Sequence, residues 1–154
     1  MAIASVLQNS FKAQLLGGYH SFNTSGDTPA GSTFNIALFL DTATITAAST
    51  VYAAGVTEVA TATGYTQGGK ALTNTGVGVS TVTSFTDFSD VSWTSSSFTT
   101  AGCVIYNSST ISGLTADAMV CSIDFGGNKT VSSGTFTIQF PANDSSDAII
   151  RITS

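Results

Sequence analysis

Segments in which apolar residues occupy every second position limit the possible folds of this chain more than any other feature. Residues 34–40 and 135–140 both have this pattern, with apolar side chains at Phe34, Ile36, Leu38, Phe136, Ile138 and Phe140. A period of two is typical of a β-strand that buries one face. Pro141 marks the end of the second segment, because proline has no N–H to donate to a sheet. The pattern predicts two amphipathic strands.

Further strands are predicted between clusters of Gly, Asn and Asp, at residues 77–85, 87–93 (a turn and a strand), 98–106, 119–125 and 149–152. We expect residues 126–128 to end the strand that precedes them. Strands at this spacing indicate an all-β fold, an antiparallel β-sandwich or a jelly-roll-like barrel. No linker or repeat divides the chain, so residues 1–154 are predicted to form a single β domain, with a helix in 1–17 and the sandwich or barrel in 18–154.

The N-terminal segment predicts one short helix. An apolar stripe recurs every four residues, at Leu7, Phe11 and Leu15. Ser5 is a favourable N-cap, and Gln8 three residues later completes a capping box. Gly17 and Gly18 supply a C-terminal stop. Such a helix either caps the open end of the β domain or docks on a neighbouring subunit.

Charged residues make up 8% of the chain, compared with about 25% in an average globular protein. In their place stand 22 Ser and 25 Thr, and threonine suits the half-solvated face of a sheet. A surface with few charges is tolerated when partners cover much of it, since charge normally keeps monomers apart. The composition therefore favours a structural or assembly protein, although a secreted or cell-surface sandwich has a similar composition.

The charges that are present argue against nucleic acid and membranes as partners. The net charge is −5, and the four cations are scattered singly, at Lys12, Lys70, Lys129 and Arg151. Phosphate binding needs clustered cations. No apolar run approaches the ~20 residues of a membrane span. Residues 1–16 lack the basic start and unbroken apolar core of a signal peptide, which predicts synthesis in the cytoplasm.

Cys103 and Cys121 lie in two adjacent predicted strands. A cross-strand disulfide is geometrically conceivable. Because no export signal points to an oxidising compartment, we expect two reduced, buried thiols. The chain has two cysteines and one histidine, which do not predict a zinc site.

The chain offers no catalytic constellation. His20 is the single histidine and Glu58 the single glutamate, and neither has a partner at the spacing of a hydrolase or glycosidase site. Asp87 and Asp90 could contribute to a calcium site, but two carboxylates in a turn more often accept hydrogen bonds from backbone N–H groups. We predict a non-enzymatic protein with no catalytic, cofactor-binding or metal-binding residues and no cofactor.

Two glycine-rich segments and two aromatic residues have alternative interpretations. Residues 68–70 and 126–129 resemble fragments of phosphate-binding loops, but they lack the full spacing and are predicted to be turns. Tyr65 and Trp93 could stack on a sugar if they were exposed. For Trp93, which lies in an alternating strand, a place in the core is the simpler prediction.

Across residues 5–152 the chain resembles a family of small virion structural proteins of tailed bacteriophages. The resemblance begins with a helix like SVLQNSFKAQLLGGYHSF and continues through FNIALFLDTATI to AIIRI. Its most specific elements are Gly64 and Tyr65 with Gly68, Gly69 and Lys70; Asp90, Val91, Ser92 and Trp93; Asp124, Phe125, Gly126 and Gly127; and Phe140 with Pro141.

This resemblance implies a place in the virion, after synthesis in the host cytoplasm. The expected function is that of a capsid decoration (cement) protein, which binds the shell as a small homo-oligomer, with a trimer favoured. Its partners would be other virion subunits, either the major capsid protein or neck and tail proteins. The alternatives are a ring component of the neck or tail, and a carbohydrate-binding module for host attachment.

Two sets of residues follow as structural expectations. We expect the contacts with partners to come from the N-terminal helix and from the loops 21–33 and 107–117, which the β core constrains least. The core is predicted to contain Phe34, Ile36, Leu38, Trp93, Val104, Phe136, Ile138, Phe140 and Ile150.

Overall fold

The computed structural model, which describes residues 2–24, 27–28, 30–55 and 57–154, contains two antiparallel β-sheets and one short helix. Strands account for about 48% of the chain and helix for about 5%, which confirms the all-β prediction. Each sheet has an open, linear strand order. The architecture is therefore sandwich-like.

In chain order the elements are β1 (Val6–Leu7), α1 (Asn9–Leu16), β2 (Phe34–Phe39), β3 (Lys70–Leu72), β4 (Asn74–Ser80), β5 (Thr83–Phe88), β6 (Val91–Asn107), β7 (Ala118–Ile138) and β8 (Ile150–Thr153). The larger sheet has five strands in the order β1-β7-β6-β2-β3, and the smaller has three in the order β4-β5-β8. The chain passes from the larger sheet to the smaller at Thr73 and returns at Ser89 and Asp90.

The helix ends where the sequence predicts but begins later. Gly17 is the C-cap, and Gly18 has a φ of +76°, a conformation that glycine adopts without strain. The predicted capping box is wrong, because Gln8 occupies the N-cap position without a side-chain capping bond. Ser5 and Gln8, the two residues of the predicted box, contact β7 instead. The Asp124 N–H donates to Ser5 Oγ, and the buried Gln8 amide lies 3.1 Å from Ser122 Oγ.

Three predicted strand boundaries are also wrong. The strands expected within residues 87–93 and 98–106 are parts of one strand, β6. Residues 77–85 form a hairpin, which turns at Thr81 with a φ of +54°. Residues 126–128 lie inside β7 rather than at its end, and the strand continues through them to Ile138. They belong to a bulge, since residues 125–128 stand opposite Ala101 alone. Gly126 and Gly127 have φ values of +70° and +120° there, so both glycines permit the bulge.

The five-stranded sheet is buried on both faces across β2, residues 100–107 of β6 and residues 118–122 of β7, whereas the rest of β7 is half-buried or exposed. One face carries the main core and packs against Phe11 of the helix, Phe22 and the smaller sheet. The other face is covered by Ile3 and by the long connection between β2 and β3, through Ala43 and Ile45. This connection is irregular, and isolated bridges are the sheet pairing that its described residues form.

Most of the predicted core is confirmed. The buried members are Phe34, Ile36, Leu38, Trp93, Val104 and Ile150. The other predicted members, Phe136, Ile138 and Phe140, are only half-buried. They pack against the margin of the core, and each of them also lines an open cavity. The Cys103 and Cys121 thiols are free and fully buried, and burial raises the pKa of Cys121 to about 12 and that of Cys103 well above its usual value.

Candidate functional site

The most prominent concave feature is an apolar cavity of about 700 Å³ at the far end of β7. Ligand and peptide pockets commonly have volumes of about 300–1,000 Å³ and apolar walls. The lining residues are Ile123, Phe125, Lys129, Phe136, Thr137, Ile138, Gln139, Phe140, Pro141 and Ile149. Aliphatic and aromatic side chains dominate, and Lys129 is the one charged residue among them.

A sharp bend in β7 forms the cavity. Phe125 and Phe136 are 11 residues apart, which would separate them by about 36 Å in a straight strand, yet their ring centroids lie 6.2 Å apart. The bulge at residues 125–128 and positive φ angles at Ser95 and Ser133 break the regular ladder between β6 and β7. Bulges increase strand bending and twist, so the two halves of one strand become facing walls.

Asp87 and Asp90 fix the segment that forms the remaining wall. Asp90 Oδ1 accepts a hydrogen bond from the Phe140 N–H at 2.9 Å, and Asp87 Oδ2 accepts one from the Ile149 N–H at 3.1 Å. Asp87 is buried, which raises the pKa of its carboxyl. The two carboxylates accept hydrogen bonds from backbone N–H groups, as the sequence favoured, and they hold both ends of the connection between β7 and β8.

An aromatic cluster supports the cavity floor from below. The Phe136 ring lies 6.0 Å from Trp93 and 5.3 Å from Phe98, and Tyr65 packs against both of these residues. Tyr65 and Trp93 are buried. Neither ring presents a face to solvent, so they do not form the sugar-stacking platform that their exposure would have allowed.

Glu58 lies at the centre of a buried hydrogen-bond network that no sequence pattern predicts. Its carboxylate accepts hydrogen bonds from the hydroxyls of Tyr52 and Tyr65 at 2.7 and 2.8 Å and from the Gly68 N–H at 2.8 Å. Burial and the nearby carboxylate raise the pKa of both tyrosines. The Leu38 N–H of β2 in turn donates to the Tyr65 hydroxyl at 2.9 Å, so the network joins the long connection to the sheet.

His20 is buried and joins the helix to the end of β6. Its Nδ1 accepts a hydrogen bond from Asn107 Nδ2 at 3.0 Å, and its Nε2–H donates to Gln14 Oε1 at 3.0 Å. Burial lowers the pKa of the imidazole to about 4. The ring is therefore neutral near pH 7, and its contacts are those of a structural residue.

The segments expected to contact partners come together at one end of the molecule. The Ser108 N–H donates to Thr33 O at 2.9 Å, and the Thr33 N–H donates to Ser109 Oγ at 2.7 Å. These bonds join the loop 107–117 to the loop 21–33, of which residues 25, 26 and 29 lie outside the described part. Through His20 the same end is linked to the helix.

The two glycine-rich segments that were predicted to be turns, residues 68–70 and 126–129, lie in different kinds of structure. Residues 68–70 form a turn that leads into β3, and Lys70 Nζ donates to Ser92 O at 2.7 Å. Residues 126–129 are part of the bulged strand β7, and Lys129 borders the cavity. Neither segment precedes a helix that could bind phosphate.

The three-stranded sheet presents a second apolar surface. Val77, Val79 and Ile152 lie on one face of it, because Val79 pairs with Ser84, which in turn pairs with Ile152. Their exposed fractions are 61%, 74% and 57%. We call these three residues the exposed sheet face; they form the outer end of the same face that buries Thr86 and Ile150. Leu16 at the end of the helix is 91% exposed, and its neighbour Leu15 lines a small cleft together with residues of this sheet.

Apart from a bulge between Asn74 and Val77, β4, an edge strand of this sheet, lacks the usual protection against pairing with a further strand. Edge strands in soluble proteins commonly carry lysine, proline or bulges that discourage addition of another strand. The sequence of β4, NTGVGVS, contains no charged residue and no proline. In the described part of the chain, β5 is its one strand partner. This edge is suited to contact with another chain.

Comparison with protein-family models, with curated proteins and with solved structures finds no match for this chain. Within the described residues, no group of three or more His, Cys, Asp or Glu side chains is arranged to hold a metal ion. None of the helices in that part of the chain has the length and hydropathy to cross a membrane.

Proposed function

We propose that this protein is a non-enzymatic structural protein of a bacteriophage virion, a capsid decoration protein that stabilises the head through subunit–subunit contacts. The observation that carries the proposal is the exposed sheet face beside the free edge of β4. Contiguous apolar patches on a protein surface commonly mark interaction sites. The sequence resemblance to small virion proteins supplies the assembly in which that surface would be covered.

Burial of apolar area is the expected source of the binding free energy. Each Å² of apolar surface removed from water contributes about 25 cal/mol, less the cost of association and ordering. Exposed ion pairs contribute at most about 1 kcal/mol each, and the chain has only four cations with which to form them. The attachment of the protein to the particle should therefore change little with salt concentration.

The distribution of charge supports association of several copies through the smaller sheet. Each copy has a net charge of −5, so two copies repel each other unless their acidic residues stay apart. The exposed sheet face contains no acidic residue, and Arg151 is the only charged residue of β8. A homo-oligomer formed here, with a trimer favoured, would avoid that repulsion.

A count of copies in the purified virion tests the proposal. A decoration protein should be present in hundreds of copies, as the capsid subunits are. A ring component of the neck or tail, the alternative within the same class, would be present in about six or twelve copies, as cyclic symmetry requires. Absence of the protein from purified virions would show that the proposal is wrong.

A further inference from the structure

The cavity adjoins the edge of β7 that β6 leaves free. Phe136, Thr137 and Ile138, three consecutive residues of β7, border it. None of the lining residues belongs to β6, which pairs with the other edge of β7. The cavity therefore lies between the facing halves of the bent strand and reaches its outer edge at residues 136–138.

That edge has no strand partner in the described chain over residues 129–138. β1 pairs with β7 only at Cys121 and Ser122, and β6 occupies the opposite side. Ser133, with a φ of +49°, and the register shift beside it interrupt this edge. Residues 134–138 are therefore the part that offers backbone N–H and C=O groups in the spacing that an added strand requires. The apolar walls next to it, Phe125, Ile138 and Ile149 among them, would receive the side chains of such a strand that face the cavity.

Charge at the cavity indicates what the added strand would carry. Lys129 is the one cation of the lining, and no acidic side chain lines the cavity among the described residues. Lys12 and Lys70 donate hydrogen bonds, to Asn9 and Ser92, whereas the ammonium of Lys129 has no hydrogen bond or ion pair with any residue that the structure describes. An acidic side chain of a ligand would complement this charge.

We propose that the cavity binds an extended, alternately apolar segment of a partner protein, which adds as a strand to the edge of β7 and places an acidic residue beside Lys129. A second copy of this chain is a poorer fit, since its edge strand β4 carries no acidic residue. The inference names a partner chemistry for the proposed structural function. It concerns the isolated protein, so its failure would leave the virion copy number unaffected.

Selection from a random library of ten-residue peptides, with the purified protein as bait, tests the proposal without assuming a sequence. The expected binders have apolar residues at every second position and an Asp or Glu at one fixed position. A matched selection with Lys129→Glu should replace that acid by Lys or Arg. The control bait Lys12→Glu, with the same charge change elsewhere, should retain the acid.

The selected peptide then tests strand addition. N-methylation of alternate backbone amides removes donors without removing the side chains, and it should weaken binding at least ~10-fold, because the main-chain hydrogen bonds supply much of the affinity. Trp93, the single tryptophan of the chain, lies 6.0 Å from Phe136 and supplies a fluorescence signal. Binding should also slow amide exchange in residues 129–138.

Several outcomes would overturn the proposal. These are the absence of any enriched peptide, enrichment at helical spacing, an acid preference that survives Lys129→Glu, and equal binding of the N-methylated peptide. Enrichment of peptides that match this chain's own β4 would instead identify a second copy as the occupant. Each of these results excludes an acidic partner strand at β7.

Discussion

The two sheets of this protein differ in how completely they are covered. The central part of the five-stranded sheet is buried on both faces, and the polar groups of Glu58 and His20, which lie outside its strands, have hydrogen-bond partners. The three-stranded sheet leaves Val77 and Val79 largely exposed and has a free edge at β4. From this difference we expect the larger sheet to stabilise the fold and the smaller one to supply surface for contacts.

Removal of apolar volume should have its largest effect in the covered sheet. Leu38→Ala, at a side chain with no exposed area, is expected to lower the free energy of unfolding by about 2–5 kcal/mol, because it removes buried contacts and leaves a cavity. Ile152→Ala on the exposed sheet face should change it by less than about 0.5 kcal/mol. Urea unfolding measures the loss in the free energy of unfolding for both variants. Equal losses would contradict the different roles expected of the two sheets.

The hydrogen bonds that hold the long connection between β2 and β3 against the larger sheet allow a second comparison. Glu58→Gln removes the charge that accepts three hydrogen bonds and should cost about 1–3 kcal/mol, because an amide cannot accept from donors at both of its terminal atoms. Asp27 provides a matched control, since its exposed carboxylate accepts bonds from the backbone and hydroxyl of Thr24. Asp27→Asn should cost less than about 1 kcal/mol. If chemical unfolding gives similar losses for the two variants, the Glu58 network does not hold this connection against the sheet.

The smallest expected effect is a pH dependence caused by His20. Its pKa is about 4 in the folded protein and about 6.5 when unfolded, so the unfolded state binds more protons between these values. The stabilisation is complete above pH 6.5 and is lost as the pH falls towards 4. We expect a loss of about 1–2 kcal/mol, because the ring keeps some access to water. This is less than the full linkage value, which is ~1.4 kcal/mol for each unit by which the folded and unfolded pKa values differ.

His20→Gln isolates this contribution from those of the carboxylates. The difference in unfolding free energy between the variant and the parent protein should shrink from pH 7 to pH 4. A difference that is independent of pH would show that the imidazole titrates equally in both states.

How much could be predicted from the sequence depended on the range of the interactions. The strand at residues 34–40 was predictable because period-two alternation reports burial on one face. The turn at Thr81 was missed because it contains no glycine or proline, and the continuation of β7 was missed because Gly126 and Gly127 normally indicate an end. Local signals do not distinguish a bulge from a turn when only the partner strand decides between them.

The candidate surfaces were less predictable than the strands. Phe136, Ile138 and Phe140 have the alternation of core residues, and only the bend of β7 turns their pattern into a cavity wall. Glu58 meets Tyr52 and Tyr65 through an irregular connection, for which no periodicity exists. The roles of Asp87 and Asp90 as acceptors for backbone N–H groups were predictable in kind, but their partners, 62 and 50 residues away, were not.

Amide hydrogen exchange of β4 in the free protein and in the assembled particle tests the central claim most directly. If the exposed sheet face and its edge are covered by other virion subunits, exchange in β4 should slow at least ~10-fold in the particle, whereas exchange in the already covered strand β2 should be unchanged. Equal exchange rates of β4 in the two states would contradict the proposal that the three-stranded sheet forms the contact surface.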